Sequence, residues 1–175
     1  LQLENAGEPD TTEEAYFEVI KRKTAALFQA ATEGAALLSD LDPDSVTACK
    51  QYGYHLGMAF QLIDDVLDYS GKAEQMGKHV GDDLAEGKPT LPLIRVMQVA
   101  SPADAAIVRT AIAGKSAASI AAVMALINQT DALEYTRAAA LHHSNAALEA
   151  LQRLPCAGMQ NELLRLLEMA VDRNT

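Results

Sequence analysis

Phe60-Gln61-Leu62-Ile63-Asp64-Asp65-Val66-Leu67-Asp68 sets three carboxylates inside an otherwise apolar segment. On a helix, spacings of three and four residues gather Gln61, Asp64, Asp65 and Asp68 on one stripe, with Ile63 and Leu67 beside it. Like charges on neighbouring helical turns repel, so the cluster weakens its helix unless something compensates it. A solvated acidic face is the plain alternative. It fits poorly, because the neighbours are Phe60, Leu62, Ile63, Val66 and Leu67 rather than mixed charges. A divalent cation would supply the compensation, and Mg²⁺ takes oxygen ligands from one or two carboxylates, phosphates and water. Gly77-Lys78 and Glu86-Gly87-Lys88-Pro89-Thr90 follow soon after and bring fixed positive charge. Acids, metal and lysines together describe a site for a diphosphate.

Outward from this stretch the chain reads as helices. Thr11-Thr12-Glu13-Glu14 forms a capping box with Thr11 as N-cap, and predicts a helix from about Thr12 to Ser39. Asp42-Pro43 opens the helix that carries the aspartates, which should run to Tyr69 or Ser70 and stop at Gly71. The cluster then lies near a helix C-terminus, where the dipole disfavours anions and a metal would offset the mismatch. Gly71 to Lys88 reads as a polar loop. Thr90-Leu91-Pro92 starts a third helix and Ser101-Pro102 a fourth, broken at Gly114. A fifth opens at Ser116 or Ser119 and ends near Asn128. A sixth runs from Thr130-Asp131 to Pro155, and the last from about Gly158 to Asp172. No alternating strand pattern or internal repeat is present. The expected fold is all-α, a bundle of antiparallel helices forming a single domain over residues 1–175.

Composition agrees. The chain has 175 residues, 49% of them hydrophobic, with no Trp. That is enough for one substantial core, and Ala and Leu suit packed helices. A net charge of −10 argues against general binding to nucleic acid or anionic membranes. It leaves a phosphorylated substrate open, because lysines and a metal can reverse the field within one cleft. The run around Ile120 to Ile127 is too short to span a bilayer, and no signal peptide is visible. Cys49 and Cys156 form no CxxC pair and read as reduced cysteines of a cytoplasmic protein. Leu1 rather than Met stands first, so the chain is expected to begin partway through a longer protein.

Other residues invite lesser readings. Gly53 and Gly57 each cost about 1 kcal/mol inside a helix relative to Ala, which suggests close approach of a substrate chain or, more simply, helix packing. His142 and His143 read as a solvated face, and His55 as packed or bonded within its own helix. His79 lies next to Lys78.

The motif from Phe60 to Asp68, followed by Gly77-Lys78, Gly81-Asp82-Asp83-Leu84 and Glu86 to Pro92, resembles the second aspartate-rich region of the all-trans polyprenyl diphosphate synthases. Lys23-Thr24-Ala25 resembles that family's earlier lysine-threonine motif, and the flanking text is most similar to bacterial octaprenyl diphosphate synthases. The resemblance implies an isoprenoid-synthase-type fold and a prenyltransferase. Such an enzyme adds isopentenyl diphosphate to an allylic diphosphate by a Mg²⁺-dependent carbocation mechanism, and the product here would be octaprenyl, a quinone side-chain precursor. It implies that Asp64, Asp65 and Asp68 hold Mg²⁺, that Lys23, Lys78 and Lys88 contact diphosphate, and that Thr24 and Gln61 line the site beside the reacting carbon. Phe60 would line the chain cavity, and Asp83 would support the metal's water shell. A homodimer is the family's usual form.

The family carries two aspartate-rich motifs, and this chain has one. Asp82-Asp83 lacks the spacing of a second copy, and the arginine-rich segment after the first motif is also missing. The chain therefore looks like the C-terminal half of such an enzyme and is expected to be inactive alone. A non-catalytic helical partner or regulatory subunit that keeps the second motif is the rival reading.

Overall fold

The computed structural model describes residues 6–70, 80–155 and 157–172, and every regular element among them is helical. Gly71, Gly77, Lys78, His79 and Cys156 lie outside the described residues.

The first predicted helix forms in three pieces. α1 spans Glu13–Ile20, a π-helical turn follows at Lys21–Ala25, and α2 spans Ala26–Leu38. Thr12, not Thr11, caps α1: its Oγ1 accepts from the Ala15 amide at 3.2 Å. Thr11 is taken by the preceding turn, its hydroxyl donating to the Glu8 carbonyl at 2.9 Å. α3 spans Pro43–Asp68 and starts as the sequence predicts. Asp42 Oδ1 accepts from the Asp44 and Ser45 amides at 3.0 Å each, and Oδ2 from the Ser45 hydroxyl at 2.6 Å.

Within the segment read as loop, Asp82–Ala85 forms a short helix, α4. α5 (Leu91–Val99) and α6 (Pro102–Gly114) follow. Ser101 caps α6 as expected, accepting from the Asp104 amide at 3.2 Å. Gly114 stays inside α6, and Lys115 takes the left-handed turn at φ 48°. A 3-10 turn at Ala117–Ser119 precedes α7 (Ile120–Gln129). α8 runs over Ala132–Leu151 and α9 over Ala157–Val171. α8 stops before the predicted Pro155, its exit turn closed by the Arg153 and Leu154 amides on the Ala150 and Leu151 carbonyls.

The chain divides into two compact units, one of residues 1–19 and 64–137, the other of residues 20–63 and 138–175. α3 gives its residues 43–63 to the second and 64–68 to the first. The first unit packs Tyr69, Leu84, Leu93, Val96, Val108, Ile112, Val123 and Ile127 together. At its margin the Gly7 amide donates to the Gly87 carbonyl at 2.8 Å, both glycines holding positive φ. The second unit packs Ala48, Tyr52, Leu56, Ala147, Leu151, Leu154 and Leu167, with the Tyr52 hydroxyl donating to the Leu163 carbonyl at 2.8 Å. Burial of this kind stabilises by about 25 cal/mol per Å² of apolar surface.

In the second unit the two helical glycines serve packing, as the simpler reading holds. A Cβ on Gly53 would lie 2.6 Å from the Phe28 carbonyl oxygen, and one on Gly57 would lie 2.6 Å from Ala25 Cα. The π turn and α2 thus touch α3 backbone to backbone. Thr32 seals the contact by donating to the Cys49 carbonyl at 2.7 Å.

Candidate functional site

The last turns of α3 bury charge. Asp65 and Asp68 are each 2% exposed, whereas Asp64 is half-buried. An ionised carboxylate out of water costs several kcal/mol unless bonded, so the surroundings must answer both. They do so differently. Asp65 Oδ2 accepts from the Tyr16 hydroxyl at 2.6 Å, across 49 residues of sequence. Asp68 Oδ2 accepts from the Asp83 amide at 3.1 Å, while the Asp68 carbonyl accepts from the Gly81 amide at 2.9 Å. Gly81 turns the chain back at φ 83°, with the Ile120 side chain where a Cβ would go. A side chain there would strain the left-handed backbone and push aside the tip of Ile120.

α4 thereby carries Asp83 and its cation to the motif. Lys88 Nζ donates to Asp83 Oδ1 at 2.9 Å and to Glu86 Oε2 at 2.7 Å. Burial of Lys88 pulls its pKa down, but the bonds to Glu86 and Asp83 outweigh that and hold it above the ordinary lysine value. The ammonium stays charged. Burial, then the Asp65 charge and hydrogen bond, drive the Tyr16 phenol well above its usual range, so it remains a donor. The nearby Tyr69 phenol is also pushed up by burial, and the Thr90 hydroxyl beside this region is buried as well. Both of these hydroxyls are buried without a hydrogen-bond partner among the described residues.

Among the described residues, no group of three or more His, Cys, Asp or Glu side chains is placed to hold a metal ion. The donor set is all oxygen, on one helical stripe, with one member reaching solvent. Such a set suits a hard cation that brings phosphate and water as its remaining ligands, rather than a closed protein cage.

In the second unit, Lys23 is exposed on the π turn and Thr24 half-buried beside it. The Thr24 hydroxyl donates to Gln61 Oε1 at 2.9 Å. Phe60 is half-buried, its ring 5.5 Å from that of Phe28. Single-turn π insertions recur at functional sites. Here the insertion falls on Lys23-Thr24.

Sequence reasoning missed Tyr16, whose partner is too distant in the chain for any spacing rule to link them. It also misplaced one histidine. His142 is exposed as expected, but His143 is half-buried, with its Nδ1 2.9 Å from His55 Nδ1. His55 accordingly bonds to another helix.

The polyprenyl synthetase family matches residues 1–130. Octaprenyl diphosphate synthase of Escherichia coli (strain K12) is 45% identical over 175 residues, covering 99% of this chain and 54% of that protein. The crystal structure of a decaprenyl diphosphate synthase from Rhodobacter capsulatus superposes with a TM-score of 0.90 at 39% identity, over 98% of this chain and 54% of that one. A geranylgeranyl pyrophosphate synthase from Corynebacterium glutamicum, complexed with isoprenyl diphosphate and magnesium, gives a TM-score of 0.89 at 26% identity, over 98% of this chain and 50% of that one. The chain spans about half the length of the curated relatives it matches. Its all-α structure is that of the isoprenoid synthases. With its aspartate stripe, its lysine-threonine turn and the match of its first 130 residues, the chain belongs to the polyprenyl synthetase family.

Proposed function

We propose that this chain is the C-terminal portion of a trans-polyprenyl diphosphate synthase that adds isopentenyl diphosphate to an allylic diphosphate, with an octaprenyl diphosphate as product. The observation that carries the reading is the pair of carboxylates buried to 2% each in α3 and fastened by donors from Tyr16 and Asp83. Buried carboxylates are costly to keep, and groups of this kind cluster at functional sites. Kinship with the octaprenyl synthase supports the product length, and the magnesium complex of a relative supports the metal.

In this reading Asp64, Asp65 and Asp68 would hold Mg²⁺, which would supply positive charge to a departing diphosphate. Lys88, kept cationic by Asp83 and Glu86, faces the diphosphate as a fixed point charge. Lys23 and Lys78 take the same role. Thr24 and Gln61, bonded to each other, line the site beside the reacting carbon, and Phe60 lines the cavity for the growing chain. Asp83 would support the water shell of that metal. A cytoplasmic homodimer is the expected form; among the described residues no helix is long and apolar enough to cross a membrane.

The test is isopentenyl diphosphate incorporation with Mg²⁺ by the complete protein and by these 175 residues alone. The complete protein should elongate the allylic primer, and the 175-residue chain should not. Asp64→Ala in the complete protein should cut turnover by orders of magnitude with the helical content unchanged. A complete protein that binds Mg²⁺ and diphosphate but never elongates would favour the regulatory-subunit reading.

A further inference from the structure

The geometry points to Tyr16 as a positioning residue of the aspartate stripe: its hydroxyl sets the orientation of the Asp65 carboxylate before any ligand arrives. This rests on the proposed magnesium role of that stripe and adds to it a residue outside the motif. The three aspartates are not equivalent. Asp64 is half-buried. Asp68 accepts from the Asp83 backbone amide, a donor that a side-chain truncation leaves in place. Asp65 receives a side-chain donor, and both members of the Tyr16–Asp65 pair are buried, at 5% and 2% exposure.

Their 2.6 Å separation lies in the short range of hydroxyl-to-carboxylate bonds, which are about twice as strong as neutral ones. Rotation of the Asp65 carboxylate would break that bond in a place where water cannot replace it. Oδ2 is thus committed to Tyr16, and the plane of the carboxylate is fixed. A diphosphate–magnesium complex brings its own remaining ligands, so the protein's contribution is orientation established in advance. Hydrogen-bond partners of metal-binding carboxylates typically change metal affinity by about 10–100-fold when removed.

The experiment is calorimetric titration of the full-length protein with inorganic pyrophosphate at a series of Mg²⁺ concentrations. Wild type, Tyr16→Phe and Tyr69→Phe are compared, with helicity checked by circular dichroism. Tyr16→Phe should raise the Mg²⁺ concentration for half-maximal pyrophosphate binding by about tenfold or more. Tyr69→Phe, which removes a buried phenol oxygen from the same neighbourhood, should leave it unchanged. A Tyr16→Phe value within about twofold of wild type, or equal shifts in the two variants, would overturn the proposal. Should Tyr16→Phe not fold, the ¹³Cζ resonance of Tyr16 in labelled wild type serves instead. It should move when Mg²⁺ and pyrophosphate are added together, and a stationary signal counts against the proposal. A wild-type protein that binds no pyrophosphate with Mg²⁺ overturns the proposed function as well, whereas normal wild-type binding with an unaffected Tyr16→Phe overturns this inference alone.

Discussion

His55 and His143 face each other through their Nδ1 atoms, 2.9 Å apart, on α3 and α8. One ring must donate and the other accept, so a second proton would set two donors against each other. Tyr54 packs edge-on against both rings, and His142 and Glu149 are the other titratable neighbours. Burial, then the charges of His55 and His142, push His143 down to about 4; burial also lowers His55.

The sign follows. The unfolded chain takes up protons near 6.5, while the folded pair resists them until about 4 for His143. The pair's contribution to stability is therefore fully present above pH 6.5 and falls as pH drops from there toward 4. Melting temperature followed across that range should decline, and His143→Gln should decline less steeply. Parallel curves for the two proteins would refute this.

Gly53→Ala should destabilise although alanine is the better helix former. The new methyl group would meet the Phe28 carbonyl oxygen at 2.6 Å and Gln29 Cα at 2.9 Å, both backbone atoms that cannot step aside. Overpacking of this kind costs roughly 1–3 kcal/mol, against about 1 kcal/mol gained in helix propensity. Thermal unfolding should show a lower midpoint, and an unchanged midpoint would mean the helices can part freely.

Lys88→Ala separates stability from substrate handling. The Lys88 side chain is 26% exposed, and partly solvated ion pairs contribute about 0–1 kcal/mol. The fold should therefore barely notice the change. In the complete protein the KM for the allylic diphosphate should rise severalfold. An unaltered KM with a collapsed melting temperature would make Lys88 a structural residue.

Legibility from sequence followed distance along the chain. The Asp42 and Ser101 caps act between neighbours three residues apart, and they form as read. The aspartate stripe needs only the 3.6-residue period, so it too was visible. Thr11 lost the capping role to Thr12 because the turn at Glu8 competes for its hydroxyl, a contest that composition does not reveal. The π turn at Lys21–Ala25 adds one residue to a helix, too little to disturb a periodicity read over several turns. Tyr16 and His143 escaped notice because their partners lie 49 and 88 residues away. No local pattern carries such pairings. The glycines were legible as contact points because each is a poor helix residue that only a close neighbour explains.

Lys115 contributes hydrocarbon as well as charge. A methyl group on Gly7 would touch its Cε at 3.3 Å, and one on Gly87 its Cγ at 2.7 Å, so its aliphatic stem roofs the strand-like hydrogen bond joining those glycines. Glycine at 115 would relax the left-handed backbone but strip away this awning, and water would then compete for the Gly7 amide. The backbone at Gly7 is thus sheltered by an aliphatic stem at the end of α6, a contact that a count of charges would never disclose.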